Sequence, residues 1–345
     1  MNDALDWLAP SGSECRRHLD QLQGLTRVIR PATESYTFRS ILNKQFNDTD
    51  HLMREQAQNS GKPVLAHPSF LRSAIYSATT TPNVLQSFAY KSRAAIFSIL
   101  ESFHENIGHG RIIPAFSDLR AIIEHVAHTA YAMRQCKLVL LPAPGKPEAL
   151  AEYLGAIRTA LTKSQHATRL DWKQLFKDEA PIRKRKLVPY DAGSSLIDVT
   201  ATNILTLISK MEKTVPGLGN IYQFLCEFAH PNLGTNAAFF QETKMIDDEY
   251  GILWKEIRLG LTEPKAFQTD MGRFTDEVLS CVVECVQHVI TLHEEIGEFH
   301  VKICAIVREL TRALVARQPE LFNLYSSCPC QSGKKLKFCC LKSDS

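Results

Sequence analysis

The chain has 345 residues, 44% of them hydrophobic and 22% charged, with 16 glycines and 16 prolines. That balance excludes wholesale disorder and collagen-like or low-complexity character, and the length suits two or three units with a buried core. With 40 basic against 37 acidic residues the net charge is +3, so any electrostatic footprint for nucleic acid must be local.

The opening residues, MNDALDWLAPSGSEC, have neither a basic n-region nor an apolar h-region, so they do not read as a secretory signal. No run of about 18 apolar residues occurs, so no transmembrane helix is expected. These features predict a cytoplasmic protein with no membrane partner.

The pattern is helical almost throughout. A first helix is expected over residues 15–30, broken by Pro31. A second, capped by Thr33 or Ser35, runs toward residue 59. Ser60-Gly61-Lys62-Pro63 is a break. A third helix is expected from Pro82, with Thr81 as N-cap and the proline in the first turn. The strongest pattern spans 115–136. There Phe116, Leu119, Ile122, Ile123, Val126 and Ala130 recur at three- and four-residue steps and make one apolar stripe. After Pro142 and Pro144-Gly145, another helix carries Leu150, Tyr153, Leu154, Ile157 and Leu161.

Arg183-Lys184-Arg185-Lys186 reads as a solvated loop or helix end, or as a phosphate contact that would make RNA association salt-sensitive. Residues 195–213 read as helix, 216–219 as a turn, and 222–229 as a short helix stopped by Pro231. The stretch ILWKEIRLG, 252–260, reads as one strand of a small hairpin. A long helical pattern follows over 267–317, with a break expected near Gly297. The expected fold class is mainly α, a helical bundle with a small C-terminal zinc-binding module. N-terminal helices occupy 1–60, a helical domain 61–322 and the module 326–342.

Ten cysteines are present. Six are scattered: Cys15, Cys136, Cys226, Cys281, Cys285 and Cys304. Four crowd the end of the chain: Cys328, Cys330, Cys339 and Cys340. Without an export signal a disulfide framework is not expected. The end spacing, C-x-C-x8-C-C, offers two close thiol pairs on a short loop, which suits the four soft ligands that Zn²⁺ takes in a tetrahedron. Gly333 allows a tight turn. Lys334, Lys335 and Lys337 offset the charge of about −2 that four thiolates leave around one Zn²⁺. With so few apolar residues, metal binding and folding of this segment should be one event.

Cys328-Pro329-Cys330-Gln331-Ser332-Gly333-Lys334-Lys335-Leu336-Lys337-Phe338-Cys339-Cys340 closely resembles the SEC-C motif, the zinc-binding module of the SecA translocation ATPase. Gln331 stands where the family has Gly, and Phe338 where it has a basic residue; neither is a ligand position. The resemblance covers about 15 residues. It implies one structural Zn²⁺ held by Cys328, Cys330, Cys339 and Cys340, and docking on a protein or ribosome-associated partner. No GxxxxGK[ST] phosphate loop accompanies it, which excludes ATP-driven translocation.

In the strongest helix, Arg120 and Glu124 lie four residues apart and can pair, with His125 and His128 beside them. Tyr222-Gln223-Phe224-Leu225-Cys226-Glu227-Phe228-Ala229-His230-Pro231 ends a second helix on His230. Together these segments resemble HEPN domains of bacterial defence and toxin proteins over residues 85–240, and Arg120 to His125 fits the R-x4–6-H motif of HEPN ribonucleases. The resemblance implies a metal-independent endoribonuclease that acts on RNA as a homodimer. In it His125 or His230 would move the proton of the 2′-OH or leaving oxygen, and Arg120, beside Glu124, would stabilise the phosphorane. The same residues equally suit a buried Arg–Glu–His network that holds two helices together.

Cys281, Cys285 and His288 share a helix face, as core packing or as three metal ligands. His104 and His109 flank a helix end and read as surface or cap residues.

Overall fold

The computed structural model describes residues 12–32, 68–165, 202–229, 240–247, 253–259, 264–317, 324–325, 328, 334–339 and 341–342. Among them the chain is mainly helical, with one two-stranded hairpin. The helices are α1 (Glu14–Ile29), α2 (Pro68–Gly108), α3 (Ile112–Lys137), α4 (Pro147–Gln165), α5 (Ile204–Met211), α6 (Leu218–Ala229) and α7 (Pro264–Arg317). The strands β1 (Phe240–Asp247) and β2 (Leu253–Leu259) precede α7, and a 3₁₀ turn, Leu336–Phe338, lies in the cysteine-rich tail. No described helix is long and apolar enough to cross a membrane. The expected helix toward residue 59, the break at 60–63, the basic run 183–186 and the domain boundaries near 60 and 322 lie outside the described residues.

Local chemistry sets the helix ends. Ser13 caps α1 by accepting the Arg16 N–H at 3.2 Å. Pro114 sits in the first turn of α3, just before Ala115, whose N–H makes an early bond of the helix to Arg111 O at 3.1 Å. A proline there forfeits only a donor that had no helical acceptor.

Four expectations are corrected. The helix around Pro82 does not begin there: α2 starts at Pro68 and holds Pro82 in its interior. Thr81 is fully buried and its hydroxyl donates to Leu154 O at 3.1 Å, so a tertiary bond takes the side chain that capping would have used. Of the helix expected over 195–213, residues 195–201 lie outside the described residues and the described part begins at Ile204, where Asn203 caps it by accepting the Leu205 N–H at 3.0 Å. The helix expected from 222 starts four residues earlier. Gly217 turns at φ +81, and the Gly219 N–H donates to Glu212 Oε2 at 3.2 Å. Finally, α7 continues through Gly297. The expected strand is present as β2 and pairs antiparallel with β1, with Phe240 opposite Leu259 and a bulge between Glu242 and Lys244.

The described residues fall into two compact units. The first takes those within Met1–Glu34, Lys91–Tyr131 and Asn203–Leu292. Its core joins Leu19 and Leu22 of α1, Leu100 and Phe103 of α2, Leu119 and Ile123 of α3, Tyr222 and Leu225 of α6, and Val282 and Val286 of α7. Phe116 meets Phe228 edge-on at 4.7 Å between ring centroids.

The second unit takes the described residues within Ser35–Tyr90, Ala132–Thr202 and His293–Ser345. Leu85, Phe88, Met133, Leu154, Ile157, Ile303 and Leu310 are among its buried side chains. The Gln165 side chain donates to Val84 O at 2.9 Å, and Lys137 pairs with Glu295 at 2.5 Å. The connection after α3 is unusually greasy: Leu138, Leu140 and Leu141 are 64%, 89% and 68% exposed.

Candidate functional site

Backbone hydrogen bonds link the described residues of the tail. The Cys328 N–H donates to Lys334 O at 2.8 Å, and the Lys337 N–H to Leu324 O at 2.9 Å. The 3₁₀ turn then brings the Cys339 N–H to Leu336 O at 3.2 Å. Leu336 is buried in a small cluster with Cys328 and with Val315 of α7, and Cys339 and Leu341 pack against it. Arg312 of α7 donates to Lys342 O at 3.0 Å and ties the segment down. One cysteine from each end of the C-x-C-x8-C-C spacing therefore reaches the same apolar patch.

Cys330 and Cys340 lie outside the described residues, and among the described residues no group of three or more His, Cys, Asp or Glu side chains is placed to hold a metal. Cys328 and Cys339 meet at one small buried cluster, and thiols are the donor type that Zn²⁺ takes.

The second expected cluster sits between α3 and α6 in the first unit. Arg120 Nε donates to Glu124 Oε1 at 3.1 Å, and Arg120 Nη2 to Tyr222 Oη at 3.3 Å. The Tyr222 hydroxyl donates to the same Glu124 oxygen at 2.8 Å, and the guanidinium carbon lies 5.4 Å from the centre of the Tyr222 ring. The three groups close a ring of hydrogen bonds. Burial pushes the Tyr222 phenol up to about 12, aided by its bond to Glu124 and opposed by Arg120. Burial works to lower the Arg120 pKa, but the bond to Tyr222 and the charges around it outweigh that and raise it.

His125 does not join them. Five residues on from Arg120, it stands about 140° around the helix. Its side chain is exposed. Partial desolvation lowers the His125 pKa against the opposing pull of Glu124. His230 lies outside the described residues. The geometry thus unites Arg120 and Glu124 with Tyr222, whose hydroxyl sequence reasoning had quoted without a role. Its signal was the apolar periodicity of α6, which aims Tyr222 inward with Leu225 and Phe228.

The remaining groups lie in the core or at helix ends. Cys281 and Cys285 are buried in the first core and hydrogen-bond each other, which lowers the Cys281 thiol and raises Cys285. His104 is not a surface residue: half-buried, it lies 3.1 Å from the Thr26 hydroxyl, and burial lowers its pKa. His109 caps its helix end by donating from Nδ1 to Glu105 O at 2.8 Å. A pair the sequence did not suggest joins His18 Nδ1 to Asp276 at 2.9 Å, between residues 258 apart.

No family model, no curated protein and no solved structure matches the chain.

Proposed function

We propose that this chain is an interaction protein. Its helical body is a dimerisation or partner-binding module, and its tail, ordered by one zinc ion, docks on a protein or ribosome-associated partner. Cys328, Cys330, Cys339 and Cys340 hold the ion. When bound, it supplies folding energy to a segment too short to build a core. The observation that carries the reading is the convergence of Cys328 and Cys339 on Leu336. The resemblance of the tail to SEC-C modules agrees with it.

The Arg120–Glu124–Tyr222 ring supports a strut rather than an active site. Two of the five guanidinium N–H donors are directed to Glu124 and Tyr222 within the ring, and His125 faces another way.

Two measurements on purified full-length protein test this. Elemental analysis should find about one zinc per chain, lost in Cys328→Ser with Cys339→Ser; protein without zinc would remove the docking knob. Incubated with total RNA, the protein should leave it intact. Cleavage that disappears in Arg120→Ala with His125→Ala would replace this reading with the ribonuclease.

A further inference from the structure

The tail carries a surface that metal ligation does not use. Tyr325 and Phe338 are both 56% exposed, and their rings meet edge-to-face with centroids 6.5 Å apart. The backbone bond from Lys337 N–H to Leu324 O sets the two side by side. Lys335 Nζ lies 5.7 Å and Lys337 Nζ 5.4 Å from the Tyr325 ring centre, and Lys337 Nζ also lies 5.9 Å from that of Phe338. Lys337 Nζ donates to the Tyr325 hydroxyl at 3.3 Å. From residue 321 to residue 342 the sequence holds four lysines and no acidic residue.

We infer that Tyr325, Phe338, Lys335 and Lys337 form a docking patch for a single-stranded polynucleotide. The inference deepens the docking reading of the tail and rests on it. Exposed rings flanked by cations are what such a ligand requires: bases stack on aromatic faces while ammonium groups meet phosphates. Cation–π contacts at exposed sites are weak, so each lysine can swing to a phosphate without unfolding the turn. The three lysines of the loop complement a polyanion. An acidic peptide would answer the same charge, but its carboxylates leave the exposed ring pair without a partner. The aromatic pair therefore decides for nucleic acid.

The test titrates full-length protein against a fluorescein-labelled single-stranded oligouridylate by anisotropy. Phosphate contacts from Lys335 and Lys337 predict a slope of log K against log salt of about −1.4, or roughly a sevenfold loss of affinity between 50 and 200 mM salt. Tyr325→Ala with Phe338→Ala should weaken binding at least tenfold. Tyr325→Phe with Phe338→Tyr, which keeps both rings, should bind like wild type. Unchanged binding in the double alanine variant overturns the inference. So does displacement of the oligonucleotide by poly-glutamate at equal charge, which would assign the patch to an acidic protein. Zinc content measured on the same samples separates the two readings. Zinc-replete protein that ignores the oligonucleotide fails the patch alone, whereas wild-type protein lacking zinc fails the knob.

Discussion

At Tyr222 a single hydroxyl serves two charged neighbours, donating to Glu124 and accepting from Arg120. Removing it in Tyr222→Phe leaves Glu124 a donor short and should cost about 1–2 kcal/mol at neutral pH. The phenol also makes that cost depend on pH. Unfolded tyrosine loses its proton near pH 10, whereas the buried hydroxyl keeps it up to about 12. The contribution of Tyr222 is therefore fully present below pH 10 and is lost as pH rises from 10 through 12. Urea unfolding of wild type and Tyr222→Phe should differ at pH 8 and converge as pH approaches about 12; a constant gap would mean that the phenol is not held neutral by burial. Arg120 and Glu124 could be paired from their spacing alone, because four residues is one helical turn. The third member could not, since it arrives from 98 residues away. His125 shows the limit of a motif read along the chain: adjacent in sequence to Glu124, it points elsewhere because 3.6 residues make a turn.

Helices were legible where one face had to be apolar, as in α3 and α4, whose expected stripes are buried but for the half-buried Ala130. Their boundaries failed where tertiary contacts overrode local signals. Pro82 looks like a start because a proline suits a first turn, yet the buried Thr81–Leu154 bond holds it within a 41-residue helix. Gly297 looks like a break because glycine is a poor helix former, yet α7 runs 54 residues through it. A methyl group added at Gly297 would meet nothing within 4 Å. Gly297→Ala should therefore stabilise the protein by about 1 kcal/mol, seen as a higher urea midpoint with an unchanged slope. A lower midpoint would show that the glycine is needed where it stands. Strand β2 could be read from its own residues, but its partner β1 could not, because pairing is a relation between segments.

For the whole molecule, a near-neutral total charge hides the local surplus of lysine in the tail, where four lie within 22 residues. The division into two units was not legible either. Each gathers three stretches of chain, and hydrophobic period says which face is buried, not which segments meet. The cysteine spacing is a local signal, since it needs only a short loop. One consequence concerns the protein in the tube. The bare leucines after α3 expose their side chains where little apolar area should face water. Sulfate strengthens the association of such surfaces. The protein should consequently precipitate at a lower ammonium sulfate concentration than its Leu140→Lys variant, a difference that light scattering would register.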